Sequence, residues 1–136
     1  MKLKRRFVSL ILIMVLLCSM NISSVMAYAN SVTSSVSGIS VTISNYISQD
    51  CQRASAGTST GAPYTSASVV ADFYYNNVYT HVSGHYHGSA ENYGSASTGT
   101  SAQVNEYFYE VSSDHAASYN GSTFSYDNLI TSIYGN

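Results

Sequence analysis

Ser66-Ala67-Ser68-Val69-Val70-Ala71-Asp72-Phe73-Tyr74-Tyr75-Asn76-Asn77 is the stretch whose reading decides the fold. Ala67, Val69, Ala71, Phe73 and Tyr75 alternate with Ser66, Ser68, Val70, Asp72 and Tyr74. A period of two places the first set on one side of an extended chain and the second set on the other, which is the pattern of a half-buried strand. Ile39, Val41 and Ile43 alternate in the same way with Ser40, Thr42 and Ser44. Beyond residue 29 the chain has no lysine, a single proline and little leucine, and it is full of Ser, Thr, Tyr, Val and Gly. Helix formers are scarce, while β-branched and aromatic residues, which suit a pleated surface, prevail.

Turn signals divide these stretches. Asn120-Gly121 lies between Ala116–Tyr119 and Thr123–Tyr126 and predicts a two-residue hairpin, because glycine accepts the positive φ of a type I′ turn and asparagine tolerates it. Asn76-Asn77 is a weaker copy between Phe73–Tyr75 and Val78–Val82. Arg53 to Pro63 reads as a surface loop, and Gly88 to Ser101 as either a loop or a flat strand of small residues. Gln103 to Val111 reads as a strand centred on Tyr107-Phe108-Tyr109, and Asp127 to Tyr134 as a last strand in preference to a short helix. The sum is an all-β chain, a small antiparallel β-sandwich of about 6–7 strands, with residues 30–136 as one domain.

The N-terminus carries a different signal. Lys2, Lys4, Arg5 and Arg6 precede an apolar run from Phe7 to Leu17, and the stretch closes on Ala27-Tyr28-Ala29, with Ala27 and Ala29 as the small residues a signal peptidase reads. Residues 1–29 are therefore expected to be a cleaved signal peptide. The apolar run is shorter than the roughly 20 residues a membrane span needs, so no stable membrane anchor is expected. Leu17 precedes Cys18, where a lipidation site wants a small residue. The expected destination is the outside of a bacterium with a single-membrane envelope, a Gram-positive cell.

Cleavage would leave Arg53 as the lone cation against seven acids, a net charge of −6 with histidine neutral. One cation cannot neutralise a row of phosphates, which argues against nucleic acid as a partner. Electrostatic capture by anionic lipid fails for the same reason. Cys51 would be the only cysteine left, so it has no intrachain partner. It is expected either to be buried as a small apolar residue or to join two chains in a dimer.

Four constellations bear on chemistry. His81, His85 and His87 fall within seven residues, and on an unbroken strand they would share a face, where imidazoles could hold zinc or copper. The alternative is a solvated polar face. Gly57-Thr58-Ser59-Thr60-Gly61 fits the G-x-S-x-G pattern, but that pattern works at a strand-to-helix elbow of an α/β sheet, and here it is read as a chance match. Asp114 and His115 are neighbours on one strand and should point to opposite faces, so they do not form an acid–base pair. Glu106 and Glu110 share a parity about 13 Å apart, too far for paired-acid catalysis.

Tyrosine is the most suggestive feature, with twelve beyond residue 29 and no tryptophan in the chain. Tyr74 and Tyr79 fall on the polar faces of their strands and mark a candidate binding face, since the phenol offers a large contact area with a polar tip. Tyr86-His87-Gly88-Ser89 and Phe73-Tyr74-Tyr75-Asn76 are similar to short stretches of the secreted lactococcin-type bacteriocins, which form small β-sandwiches. The two stretches occur here in the opposite order, and this chain is acidic and lacks tryptophan. The resemblance implies a secreted effector. The residues themselves point to a non-enzymatic binding module for an extracellular partner, a protein or a cell-envelope glycan, with a His-based metal-binding protein as the other alternative.

Overall fold

The computed structural model describes residues 27–135. The basic start, the apolar run and Cys18 lie outside the described residues, and Ala27-Tyr28-Ala29 stands at their beginning. The chain is all-β. Eight strands, β1 (Tyr28–Val36), β2 (Ile39–Ile47), β3 (Arg53–Thr60), β4 (Ser66–Asn77), β5 (Ser83–Tyr93), β6 (Ser95–Ser101), β7 (Glu106–Tyr119) and β8 (Ser122–Ser132), form two four-stranded antiparallel sheets. The first sheet runs β1-β2-β3-β6 and the second β5-β4-β7-β8. The chain changes sheet three times, after β3, after β5 and after β6.

The alternation that identifies β4 also orients it. Ala67, Val69, Ala71 and Phe73 are buried, while Ser66, Ser68, Asp72 and Tyr74 are half-buried on the outer side and Val70 is exposed there. β2 obeys the same rule, with Val41, Ile43 and Ile47 fully buried and Ser40, Thr42 and Ser44 exposed. Phe73 and Phe108 meet edge to face, 6.5 Å between centroids, at the heart of the larger apolar cluster. Such pairs contribute about 0.5–1.5 kcal/mol beyond area burial. Val36, Val41, Ile43, Ala117 and Leu129 form a second cluster.

Several boundaries differ from the expectation. There are eight strands among the described residues: β1 pairs at Tyr28–Val36, where no strand was expected, two segments of small residues pair as β3 and β6, and Gln103–Val111 and Ala116–Tyr119 fall in the single strand β7. Arg53–Thr60 is not a loop but β3, an inner strand with Ala54, Ala56 and Thr58 pointing into the core. Small side chains there leave room for the aromatic residues of the facing sheet. Gly88–Ser101 is the end of β5 and all of β6, joined at Gly94 (φ 79°). At Gly88 an added Cβ would lie within 3.4 Å of Phe73, on the inner face, so the absent side chain is a packing requirement. Val78–Val82 is not a strand: residues 78–82 form the β4–β5 turn, where the Asn77 side-chain oxygen accepts from Tyr79 N and Thr80 N. The Asn120-Gly121 hairpin is as expected, with φ of 48° and 77°. Asp127–Ser132 continues β8, kinked at Asn128 (φ 62°) opposite a register shift in β7.

Candidate binding face

The outer side of the second sheet carries Tyr74, His85 and His87 of the side chains singled out in the sequence. Tyr74 on β4 is aligned with His85 on β5 and with Glu110 on β7. A register shift at Tyr74/Tyr75 places one extra residue, Tyr109, opposite this pair. Phe108 and Val111 both stay buried across the shift, so Tyr109 and Glu110 sit together on the outer side. The result is a row of rings crossing the strands: His85 to Tyr74 at 5.6 Å, Tyr74 to Tyr109 at 6.3 Å, and Tyr109 to Tyr134 at 6.3 Å between centroids. Tyr134 is 72% exposed, so the row opens to solvent at that end.

Polar groups flank the row. Asp72 is aligned with His87, whose Nδ1 lies 2.8 Å from Asp72 Oδ1, while His85 Nε2 is 4.0 Å from the same oxygen. On the other flank Asn76 Nδ2 donates to Tyr107 Oη at 3.2 Å. Burial, then the neighbouring Glu110 charge, raises the Tyr109 phenol above its ordinary pKa. A hydrogen bond with Tyr107 is the main cause of the rise at Tyr134. Two shallow depressions border the row. One of about 360 Å³ includes Glu110, Tyr126, Asn128 and Ser132, and one of about 340 Å³ includes Asn76, His81 and Tyr107.

The three histidines are not brought to one place. His85 and His87 share the outer face of β5, but His81 lies in the β4–β5 turn with φ 55°. Among the described residues no group of three or more His, Cys, Asp or Glu stands close enough to hold a metal ion. Asp72 is the partner that sequence reading missed. Its pairing follows from the turn length, since a turn over 78–82 aligns residue 72 with 87. Tyr74 lies in the row, whereas Tyr79 is in the turn and 76% exposed.

Glu106 and Glu110 do not share a face. The register shift turns Glu106 toward the sandwich end, where it accepts from Tyr86 Oη at 2.7 Å and Gln103 N at 2.9 Å. Burial first, then this carboxylate, pushes the Tyr86 phenol up to about 12. Cys51 is free and half-buried, packed beside the larger apolar cluster. Burial and then Asp50 raise its thiol pKa. Gly57–Thr60 lies along β3 with no elbow, Thr58 buried and Ser59 exposed. Asp114 and His115 point apart, Asp114 outward to accept from Asn128 N and His115 into the core.

No family model matches this chain, and neither a curated protein nor a solved structure does. The short stretches similar to lactococcin-type bacteriocins thus carry no family assignment.

Proposed function

We propose that this protein is a secreted, non-enzymatic binding module that holds a polysaccharide of the cell envelope against the outer face of its second sheet. The observation that carries the reading is the row of His85, Tyr74, Tyr109 and Tyr134 rings at steps of 5.6–6.3 Å. Steps of that length are comparable to one pyranose unit. Rings supply broad contact for the C–H faces of sugars at low entropy cost. Asp72, Glu110 and the Tyr107–Asn76 pair stand beside the rings as hydrogen-bonding groups for hydroxyls.

Charge narrows the partner. Asp72, Glu91, Glu110 and Asp114 occupy or border this face, and Arg53 is on the other sheet. A phosphate-rich polymer would be repelled. A neutral chain or one bearing amino groups would not, and an ammonium could also sit over a tyrosine face. The test is retention of the secreted protein on purified cell walls and on insoluble chitin. Wild-type protein should co-sediment, and Tyr74→Ala and Tyr109→Ala should each weaken retention at least tenfold while leaving the circular dichroism spectrum unchanged. Equal retention of all three would refute this placement of the site.

A further inference from the structure

A polar cluster interrupts the core. On β2 Asn45 stands between Ile43 and Ile47, and on β7 Ser113 and His115 stand between Val111 and Ala117. Thr58 reaches the same place from β3. Asn45 and Thr58 are each 1% exposed, Ser113 2% and His115 3%. Asn45 and Thr58 belong to the first sheet and Ser113 and His115 to the second, so the cluster joins the two layers.

The hydrogens of this cluster obey a strict count. Asn45 Nδ2 lies 2.6 Å from Leu129 O and 3.3 Å from Val111 O. Both partners are carbonyls that can only accept, which fixes the amide orientation and leaves Asn45 Oδ1 as an acceptor. Ser113 Oγ, 2.6 Å from that oxygen, donates its one hydrogen to it. Ser113 Oγ also lies 2.6 Å from His115 Nε2, so the hydrogen of this second contact must come from the ring. On the other side of the ring Thr58 Oγ1 lies 2.8 Å from Ser68 O and 2.9 Å from His115 Nδ1. If Thr58 donates to the carbonyl, Nδ1 must carry a hydrogen as well. All of these bonds are then made at once by an imidazolium alone. A neutral ring has one hydrogen, so with a neutral ring one hydroxyl must turn.

The two hydroxyls are not equally free to turn. Asn45 Oδ1 is buried with Ser113 as its donor, and without that hydrogen it becomes an unpaired acceptor in the core, which is costly. Ser68 lies on the inner strand β4, aligned with Glu91 on β5 and Ala116 on β7, so its carbonyl keeps a ladder donor when Thr58 turns away.

We propose that the Thr58 hydroxyl is a switch that lets the folded core take up a proton: it donates to His115 Nδ1 while the ring is neutral and turns to Ser68 O when the ring is charged. Neutral His115 is then the Nε2–H tautomer. Nε2 donates to Ser113 Oγ, and Ser113 to Asn45 Oδ1, in both states. Protonation adds one hydrogen at Nδ1 and rotates one hydroxyl, and every polar heavy atom keeps its place. The surroundings supply little charge. Asp114 precedes His115 and points outward, and Tyr126 is aligned with it on β8. Asn45, Thr58 and Val69 face it from β2, β3 and β4 and carry none. Burial therefore sets the acid range in which the switch turns, at a pKa of about 4. The charged core is costly there, but its hydrogen bonds are all made, so the Ser113–Asn45 link between the sheets persists.

Nitrogen-15 magnetic resonance of the wild-type protein reads which ring nitrogen carries hydrogen. At pH 7.5 His115 should be the Nε2–H tautomer. On titration toward pH 4 its Nδ1 should gain a proton while Nε2 keeps its own and the Asn45 side-chain amide signals stay in place. Thr58→Val keeps the shape and removes the hydroxyl. It should leave the neutral tautomer unchanged and weaken proton uptake about tenfold, because the imidazolium loses a charge-assisted bond roughly twice as strong as the neutral one. A wild-type ring with its hydrogen on Nδ1 at pH 7.5, or with both nitrogens protonated there, would overturn the proposal whether or not the variant folds. A folded Thr58→Val protein with unchanged proton affinity would overturn it too.

Discussion

Acid should weaken this sandwich through one histidine. His115 is held neutral by burial, which lowers its pKa from 6.5 to about 4, and Asp114 beside it offsets only part of that. Between these two values the unfolded chain binds a proton that the folded chain refuses, so stability rises with pH across the window. The contribution is complete above about pH 6.5 and is lost on descent toward pH 4, for a total of about 3 kcal/mol. At pH 4.5 about 2.5 kcal/mol of it should be gone. With a urea dependence of about 1–3 kcal/mol per molar, the unfolding midpoint should fall by about 1–2 M between pH 7.5 and 4.5. Tyrosine emission can follow the transition, since the chain has no tryptophan. His115→Gln should flatten the difference. A wild-type midpoint that does not move would refute the reasoning, and would mean that the hydrogen bonds the imidazolium donates to Ser113 and Thr58 cancel the cost of burying its charge.

Three further outcomes are expected. Phe73→Ala should cost about 3–5 kcal/mol, read by urea unfolding, because a fully buried ring in contact with Phe108 leaves a cavity. Gly121→Val should cost about 1–3 kcal/mol and lower the melting temperature, because φ at this position is 77° and a β-branched residue resists it. Equilibrium dialysis near neutral pH should show no stoichiometric zinc or copper, because His81 stands apart from His85 and His87. Retention of one metal ion per chain that is lost in His87→Ala would contradict this.

The alternation in residues 39–44 and 66–75 was enough to give the fold class, because two-faced strands write burial into every second residue. The Asn120-Gly121 turn was legible because its conformation restricts residue type. β3 and β6 were not legible. Their inward residues, Ala54, Ala56, Thr58 and Ala96, are small to fit against larger partners, and a small residue looks the same in a strand and a loop. Of the candidate binding face only Tyr74 was legible as such: Tyr79, paired with it in the sequence reading, lies in the β4–β5 turn, and His85 and His87 were read as metal ligands. Asp72 and Tyr109 join it through turn length and through an extra residue in β7, and neither leaves a local mark in the sequence. The buried cluster had a signal: Asn45, Ser113 and His115 occupy the inward phase of strands whose other inward residues are apolar.

The claim that the second sheet is a sugar-binding surface is tested most directly by nuclear magnetic resonance of labelled protein titrated with soluble oligosaccharides released from cell walls. Backbone amides of Asp72, Tyr74, His85, Tyr109 and Tyr134 should shift together in a saturable way, with the Ser40–Ser44 face of the first sheet unmoved. Shifts confined to the first sheet, or none at any concentration, would contradict it.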